Sequence, residues 1–236
     1  MGIHESGSGN LPALSVVIPV LNEASGLALL CSTLRSQLAD TDRSIELIFV
    51  DGGSTDGSAD AIAALGFPCL HSGRGRAKQM NFGAAAATAN YLLFLHADSE
   101  LPDAAFNSVI SALDAQPWGR FDVRISGDAK MFTIIAFFIN WRSRLSGIAT
   151  GDQGIFVRRK VFDAVGGFLD QALMEDVALS AALRKLSAPV CLRSKITTSG
   201  RRWQRRGIWR TILLMWRLRF MYWLGASPQS LAKRYE

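Results

Sequence analysis

The sequence contains few cysteines, and the three it has lie far apart. The number of cysteines is odd, and no C-x-x-C motif occurs among Cys31, Cys69 and Cys191. The sequence therefore indicates neither a disulfide framework nor a zinc site. We expect free thiols, and a reducing, cytosolic setting fits this cysteine usage best.

The chain also lacks a long hydrophobic run. Its most apolar segment, residues 131–141, is far shorter than the ~20 residues that a transmembrane helix needs, so we expect a core helix or an interfacial segment there. Residues 1–10 are polar, rich in Gly and Ser, and without an apolar stretch. They are typical of a disordered tail rather than a signal peptide.

Acidic residues are nearly absent from the last quarter of the chain. Residues 184–236 contain 13 Lys and Arg and one acid, whereas the preceding residues contain 13 basic and 19 acidic residues. This asymmetry favours an anionic partner, which a phosphate ligand, a phospholipid surface or a nucleic acid could provide, although a solvated basic face is the simpler alternative. The sequence has no recognisable nucleic-acid-reading motif, so no nucleic-acid partner is expected.

The first hundred residues alternate between short apolar runs and helical patterns. The runs are residues 13–20, 45–50, 69–71 and 91–95. After the first run, Leu27, Leu30, Leu34 and Leu38 recur at the period of one helical face. Because the runs are continuously apolar, the pattern predicts an α/β fold with a mostly parallel sheet covered by helices on both faces.

Two later segments have different patterns. Phe121, Val123 and Ile125 alternate with polar residues, which predicts a strand with one exposed face, placed antiparallel at the sheet edge. We divide the chain into a tail (1–10), one α/β domain (11–206), and a basic aromatic C-terminal helix and tail (207–236).

The C-terminal helix has tryptophans at seven-residue spacing. Trp209, Trp216 and Trp223 fall on one stripe with apolar neighbours. Aromatic and basic residues on one helix suit an anionic membrane interface. The alternative is a helix that docks on the domain and buries its tryptophans there.

Polar residues follow three of the predicted strands. Asn22 and Glu23 follow the first, residues 51–56 follow the second, and residues 96–100 follow the fourth. Ligands of open parallel sheets bind outside the carboxyl ends of the strands. Each loop alone could be a helix cap or an Asx-turn, but the three together favour a binding site.

Several ordered motifs resemble the family 2 glycosyltransferases, whose fold is called GT-A. They are VVIPVLNEA, FVDGGSTDGS, FLHADSELP, RGRAKQMNFGA, GDQGIFVRR, MEDVALSAAL and SGRRW, and they cover most of the chain. The HAD, RAKQMN, GDQ and RRW stretches look like those of a small bacterial subgroup linked to arsenosugar biosynthesis. The resemblance implies transfer of a sugar from a nucleoside diphosphate sugar to an acceptor hydroxyl, with a small-molecule or lipid-linked acceptor.

The resemblance also implies a set of nucleotide-sugar-binding residues and a divalent metal, Mn²⁺ or Mg²⁺. The binding residues are Pro19, Asn22, Glu23, Asp51, Gly53, Ser54, Arg74, Gln79, Asp98, Arg202 and Trp203. Asp98 would bind the metal, with Glu100 as a second ligand. His96 stands where many relatives have a carboxylate, and its imidazole could still bind the metal or donate a hydrogen bond; a structural His at a strand end is the alternative.

The family places its catalytic base at the position of Glu175 and Asp176, and we assign the base to Asp176. Acids in the first turn of a helix also favour the helix dipole, which is the structural alternative. Two other functions stay open: transfer to a polyprenyl phosphate at the membrane surface, and a catalytically silent nucleotide-sugar-binding module. We expect a cytoplasmic protein, either free or peripheral on the inner face of the plasma membrane.

Overall fold

The computed structural model describes residues 11–127, 129–201, 203 and 207–235, so the predicted tail at residues 1–10 lies outside the described residues. The strands are β1 (Leu14–Val20), β2 (Ile45–Asp51), β3 (Cys69–His71), β4 (Tyr91–Phe94), β5 (Ser99–Glu100), β6 (Trp118–Ile125), β7 (Phe156–Arg158) and β8 (Val190–Thr198). The helices are α1 (Ala24–Ala39), α2 (Ser58–Ala64), α3 (Arg76–Ala86), α4 (Ala105–Ala115), α5 (Lys130–Ser146), α6 (Arg159–Ala164), α7 (Glu175–Arg184), α8 (Ile208–Trp223) and α9 (Pro228–Tyr235). A single 3₁₀ turn, Gly151–Gln153, precedes β7.

These strands form one sheet in the order β3-β2-β1-β4-β7-β6-β8-β5. The first four strands of that order are parallel, as their apolar runs predict. β7 is antiparallel to both β4 and β6, and β5 is antiparallel to β8, whereas β6 and β8 are parallel to each other. The predicted α/β architecture with a mostly parallel sheet is therefore confirmed.

Both faces of the sheet are covered. Val16 and Ile18 of β1 lie in a core cluster shared with α1 and α4, whereas Val17 between them lies in a second cluster shared with α3, α6 and α7. Helix α3 approaches β1 closely, because a Cβ atom at Gly83 would lie only 2.4 Å from Cγ1 of Val17. Burying a Val or Ile side chain contributes about 1.5–3 kcal/mol, so these two layers hold the strand ends in place.

The prediction that β6 lies at the edge of the sheet with one exposed face is wrong. This strand lies inside the sheet between β7 and β8, and of its residues only Arg124 is exposed. Two of its charged residues are paired internally: Arg120 is fully buried and donates to Asp122 and to the carbonyl of Asn140, and Arg144 donates to Asp122 at 2.6 Å. Buried charges persist when they are paired and hydrogen-bonded, so alternation here does not mean an exposed face.

Helix α5 has the buried face expected of a core helix at residues 131–141, but its other face is exposed. Phe132, Ile135 and Ala136 are buried in a small cluster, while Phe137 and Trp141 are exposed. One face of α5 is therefore a core face and the other is an apolar surface.

Helix α8 packs on the domain, but its tryptophans do not. Leu218 is buried with Met174 and with Leu231 of α9. Trp209, Trp216 and Trp223 are 68%, 74% and 79% exposed. The alternative in which docking buries these tryptophans is therefore wrong. Within the described residues, no helix is both long and apolar enough to cross a membrane.

Candidate nucleotide and catalytic site

The three polar loops predicted from the sequence converge. β2, β1 and β4 are neighbours in the sheet and run parallel, so the loops that follow them leave the same edge. The loop after β1 and the loop after β2 are joined by hydrogen bonds. Asn22 accepts the backbone N–H of Thr55 at 2.9 Å and donates its own N–H to the Ser54 hydroxyl at 2.9 Å. Asn22 has a left-handed backbone (φ 55°), which asparagine tolerates better than most residues.

Asp51 fixes the backbone of the loop after β2. Its carboxylate accepts the backbone N–H groups of Gly53 at 2.9 Å and Ser54 at 3.1 Å. Burial raises the pKa of Asp51, but the hydrogen bonds from Ser54 and Gly53 and the charge of His71 outweigh it, so that the pKa lies below its usual value. Gly53 has a φ of 88°, and nothing lies within 4 Å of where its Cβ would be, which leaves this backbone open to a ligand.

Gln79 lies beneath the strand ends rather than at the surface. Its side-chain amide donates to the carbonyl of Val20 at 2.7 Å and to that of Val50 at 2.8 Å, so it joins the ends of β1 and β2. Pro19 is likewise buried within β1. Both residues position the loops, and neither side chain faces the open side of the site.

Glu23 and Asp98 form an acidic pair at the mouth of the site. Burial raises the pKa of Glu23, the charge of Asp98 raises it further, and the charge of Arg201 lowers it. The Arg201 guanidinium lies 3.6 Å from the Glu23 carboxylate. Because β5 pairs with the end of β8, the loop that carries Arg201 lies beside the loop that carries Asp98.

His96 is half-buried just after the end of β4. With Gly151, Glu175 and Asp176 it lines a small cavity of about 10 Å³, which is room for one water. The Glu100 side chain is exposed on β5. Throughout the described ranges, no group of three or more His, Cys, Asp or Glu residues is placed to hold a metal ion, so His96, Asp98 and Glu100 are not assembled into a ligand set.

Asp176 is fixed by backbone N–H groups. Its carboxylate accepts Gly151 N–H at 2.6 Å and Val177 N–H at 2.7 Å, and the side chain is half-buried. A Cβ atom on Gly151 would lie 2.5 Å from Nε2 of His96 and 3.6 Å from Oδ2 of Asp176, so glycine allows these two side chains to come close. The bond from Val177 occupies a backbone N–H in the first turn of α7, so the structural role expected for a helix-terminal acid is also present.

Glu175 is more deeply buried than Asp176. Burial raises its pKa, and the charge of Asp176 raises it further, while Arg76 lowers it. Arg76 of α3 lies 3.3 Å from the Glu175 carboxylate. The sequence analysis did not single out Arg76, although it lies two residues after Arg74 in the RGRAKQ stretch that resembles the family.

A second charged group beside Asp176 was also missed. Burial lowers the pKa of Arg142 to about 10, and the charge of Arg219 contributes to this. Burial raises the pKa of Asp152, as does the charge of Asp176. Helices α5 and α8 thus bring two guanidinium groups to the side of the site that contains Asp176.

The remaining predicted residues lie further out. Arg74 is exposed on the loop before α3. Trp203 packs against the cluster of Ile125 and Phe132 under α5 rather than over the strand ends. Arg202 lies outside the described residues.

Known structures share this fold at low sequence identity. A mannosyltransferase from Pyrobaculum calidifontis, in complex with GDP-Man and Mn²⁺, superposes with a TM-score of 0.59 and 17% identity, covering 96% of this chain and 70% of that one. Glucosyl-3-phosphoglycerate synthase from Mycobacterium tuberculosis, in complex with Mg²⁺ and UDP, superposes with a TM-score of 0.58 and 15% identity, covering 79% of this chain and 70% of that one. These likenesses establish the GT-A fold.

Sequence comparison identifies the family. A PGL/p-HBAD biosynthesis glycosyltransferase from Mycobacterium bovis is 40% identical over 101 residues, which are 39% of this chain and only 38% of that relative's length. An uncharacterised glycosyltransferase from Nostoc is 37% identical over 92 residues, 36% of this chain and 28% of that relative. The model of "Glycosyl transferase family 2" matches residues 15–166, more than half of the chain. The chain therefore belongs to glycosyl transferase family 2.

Proposed function

We propose that this glycosyltransferase transfers a sugar from a nucleoside diphosphate sugar to an acceptor hydroxyl with inversion at the anomeric carbon. The observation that carries the proposal is the position of Asp176, a half-buried carboxylate fixed by Gly151 beside the strand-end loops. Asp176 takes the proton of the acceptor hydroxyl while the oxygen bonds to the anomeric carbon. The bond from that carbon to the phosphate oxygen breaks, and the nucleoside diphosphate leaves.

The loops after β1 and β2 provide the nucleoside side of the proposed site. Asp51 keeps its negative charge because its hydrogen bonds lower its pKa, which suits an acceptor for a base N–H. The open backbone at Gly53 and the adjoining Ser54 and Asn22 form the contact surface. The complexes of the structural neighbours with UDP and GDP-Man support this placement.

The residues present fit a divalent cation at Asp98. The Asp98 carboxylate is exposed, and its charge raises the pKa of Glu23, so a cation would relieve a repulsion that the structure contains. Asp98, with His96 or Glu100 as further candidates, would hold Mn²⁺ or Mg²⁺, and diphosphate oxygens and water would complete the ligands. The bound ion would neutralise negative charge that develops on the leaving diphosphate.

Cationic side chains add to this stabilisation. Arg201 is tied to Glu23 at the mouth of the site, and Arg74 is exposed on the neighbouring loop. Both can turn toward a diphosphate, because a surface ion pair such as that of Arg201 contributes only about 0–1 kcal/mol. By the family motif alone, we also assign Arg202 to the contact with the diphosphate.

The acceptor is proposed by class only. The RAKQMN, GDQ and RRW stretches support a small molecule, as in the subgroup linked to arsenosugar biosynthesis. A polyprenyl phosphate is the second candidate, favoured by the two guanidinium groups of Arg142 and Arg219 near Asp176.

We also propose a cytoplasmic enzyme that associates peripherally with the membrane through α8. Its outward Trp209, Trp216 and Trp223 are exposed, as an interfacial helix requires, and the segment around them is strongly basic. The three free thiols of the structure suit a reducing compartment.

A donor-hydrolysis screen tests the reaction. UDP-, GDP- and dTDP-sugars are incubated with the protein and Mg²⁺, Mn²⁺ or a chelator, and released nucleoside diphosphate is measured. Turnover of one donor, lost with the chelator, is the expected result. Absence of binding and turnover with every donor contradicts the proposal, whereas donor binding without turnover, with or without an acceptor, indicates a silent binding module.

A further inference from the structure

We propose that α5 and α8 together form one surface that docks on an anionic lipid bilayer. This inference rests on the proposed membrane association and extends it from the C-terminal helix to the catalytic domain, because α5 packs directly on β6.

Each of the two helices presents an apolar stripe to solvent. Large exposed side chains on α5 are Ile134, Phe137, Phe138, Trp141 and Leu145. On α8 they are Trp209, Leu213, Trp216, Phe220 and Trp223. Both sets follow the three- and four-residue spacing of a single helical face. Monomeric proteins rarely expose apolar patches of this extent unless the patch binds something.

The two stripes face the same way. Ile208 and Ile212 in the first turns of α8 pack on the cluster that contains Ile135 of α5, and the charge of Arg219 further along α8 acts on Arg142 further along α5. The helices therefore lie side by side and parallel. On a helical projection, the residues of α5 and α8 that face each other lie about a quarter turn away from the exposed stripe of their own helix. The two stripes therefore point in the same direction and form one continuous surface.

The charge of this surface favours an anionic occupant. Neither helix contains an Asp or Glu. Lys130 of α5 and Arg210 and Arg217 of α8 are exposed, whereas Arg144 is paired with Asp122 and Arg142 is turned toward Asp176. A second copy of the chain, docked face to face, would bring like charges together without any acid to pair them. An anionic bilayer offers both an apolar phase for the aromatic rings and negative headgroups for the guanidinium groups.

The surface is adjacent to the proposed catalytic carboxylate. The inner face of α8 packs against Met174 and Val177, the residues on either side of Glu175 and Asp176. Docking through α5 and α8 would therefore place the Asp176 end of the site next to the bilayer.

Vesicle flotation of the full chain tests the surface. The vesicles are phosphatidylcholine alone or phosphatidylcholine with phosphatidylglycerol, at low and high salt. The variants are Phe137→Ser/Phe138→Ser on α5, Trp216→Ala/Trp223→Ala on α8, and the matched control Leu29→Ser, an exposed apolar residue on α1. Circular dichroism and donor hydrolysis without vesicles check that each variant is folded and report separately on the proposed reaction.

We expect wild type and the Leu29 control to float with anionic vesicles at low salt, and both double variants to lose binding by roughly tenfold or more. Full binding by the α5 variant together with lost binding by the α8 variant would confine docking to α8 and overturn this inference while leaving peripheral association intact. Failure of wild type to bind, with a dimer seen by light scattering that the α5 and α8 variants abolish, would assign the surface to a second copy.

Discussion

The carboxylate of Asp176 accepts the backbone N–H of Gly151 at 2.6 Å, although 25 residues separate the two in sequence. This bond ties the first turn of α7 to the 3₁₀ turn before β7, so it fixes the direction of the carboxylate. A general base needs such fixed geometry before its pKa matters.

Replacement of Asp176 by Asn should reduce transfer by roughly a hundredfold or more while donor affinity stays near that of wild type. The amide oxygen can still accept Gly151 N–H, which keeps the contact between α7 and the 3₁₀ turn, although the bond from Val177 N–H is lost. Turnover and donor affinity are measured on one preparation. Asp60→Asn is the matched control, because Asp60 is an exposed acid in the first turn of α2. Normal transfer by the Asp176 variant would leave this residue with a helix-capping role only.

Asp98→Asn should remove most of the metal-dependent part of donor affinity and leave the fold unchanged, because the side chain is exposed at a strand end. Calorimetric titration with UDP or GDP, with and without Mn²⁺, measures the effect. Asp103→Asn, another exposed acid nearby, serves as the control. The metal role is refuted if both variants bind the nucleotide equally well with Mn²⁺.

Gln79→Leu should destabilise the protein, because it removes the amide that donates to the carbonyls of Val20 and Val50, although Val20 still accepts Gly52 N–H. Each lost hydrogen bond costs about 0.5–1.5 kcal/mol, so urea unfolding should show a loss of about 1–3 kcal/mol. Any loss of donor binding would follow from the moved loops. If the variant instead keeps wild-type stability and loses donor affinity alone, Gln79 is a ligand contact.

The stability of the protein should depend on the ionisation of Glu175. Burial raises its folded-state pKa above the unfolded value of 4.5, so its favourable contribution is present below that pH and is lost as the pH rises through the folded-state pKa. The free energy of unfolding of Glu175→Gln should therefore rise relative to that of wild type as the pH increases above 4.5, and a tenfold difference in proton affinity between the folded and unfolded states corresponds to about 1.4 kcal/mol. Urea unfolding at several pH values above and below 4.5 measures the difference. A difference that stays constant with pH contradicts a desolvated Glu175.

Local patterns were enough to predict the first strands, helix α1 and the loops after β1 and β2. The strand runs, the leucine stripe of α1 and the polar loops after β1 and β2 are contiguous in sequence, and they fold as their periodicity indicates. The Asp51 loop is also local, because its hydrogen bonds join residues two and three apart.

Contacts between distant segments could not be predicted. The Arg76–Glu175 pair joins residues 99 apart, and no spacing rule connects them. The burial of Arg120 and Asp122 depends on Arg144 from α5, which the alternation of β6 alone does not reveal. The stripe of α8 fits a buried helix and a surface helix equally well, so only the packing of Leu218 decides which way the tryptophans face.

The site has one part held by the buried hydrogen bonds of Gln79 and another part held by ion pairs at its mouth. The amide that joins β1 to β2 is uncharged and buried, and both its donors are used, so neither salt nor moderate acid can loosen it. The mouth of the site instead depends on two ion pairs, that of Arg201 with Glu23, which salt weakens, and that of the exposed Arg76 with the buried Glu175. A bound anion can replace either carboxylate. We therefore expect conformational changes on ligand binding to be confined to the phosphate and acceptor side of the proposed site. The loops that would contact the nucleobase should hardly differ between the free and the bound protein.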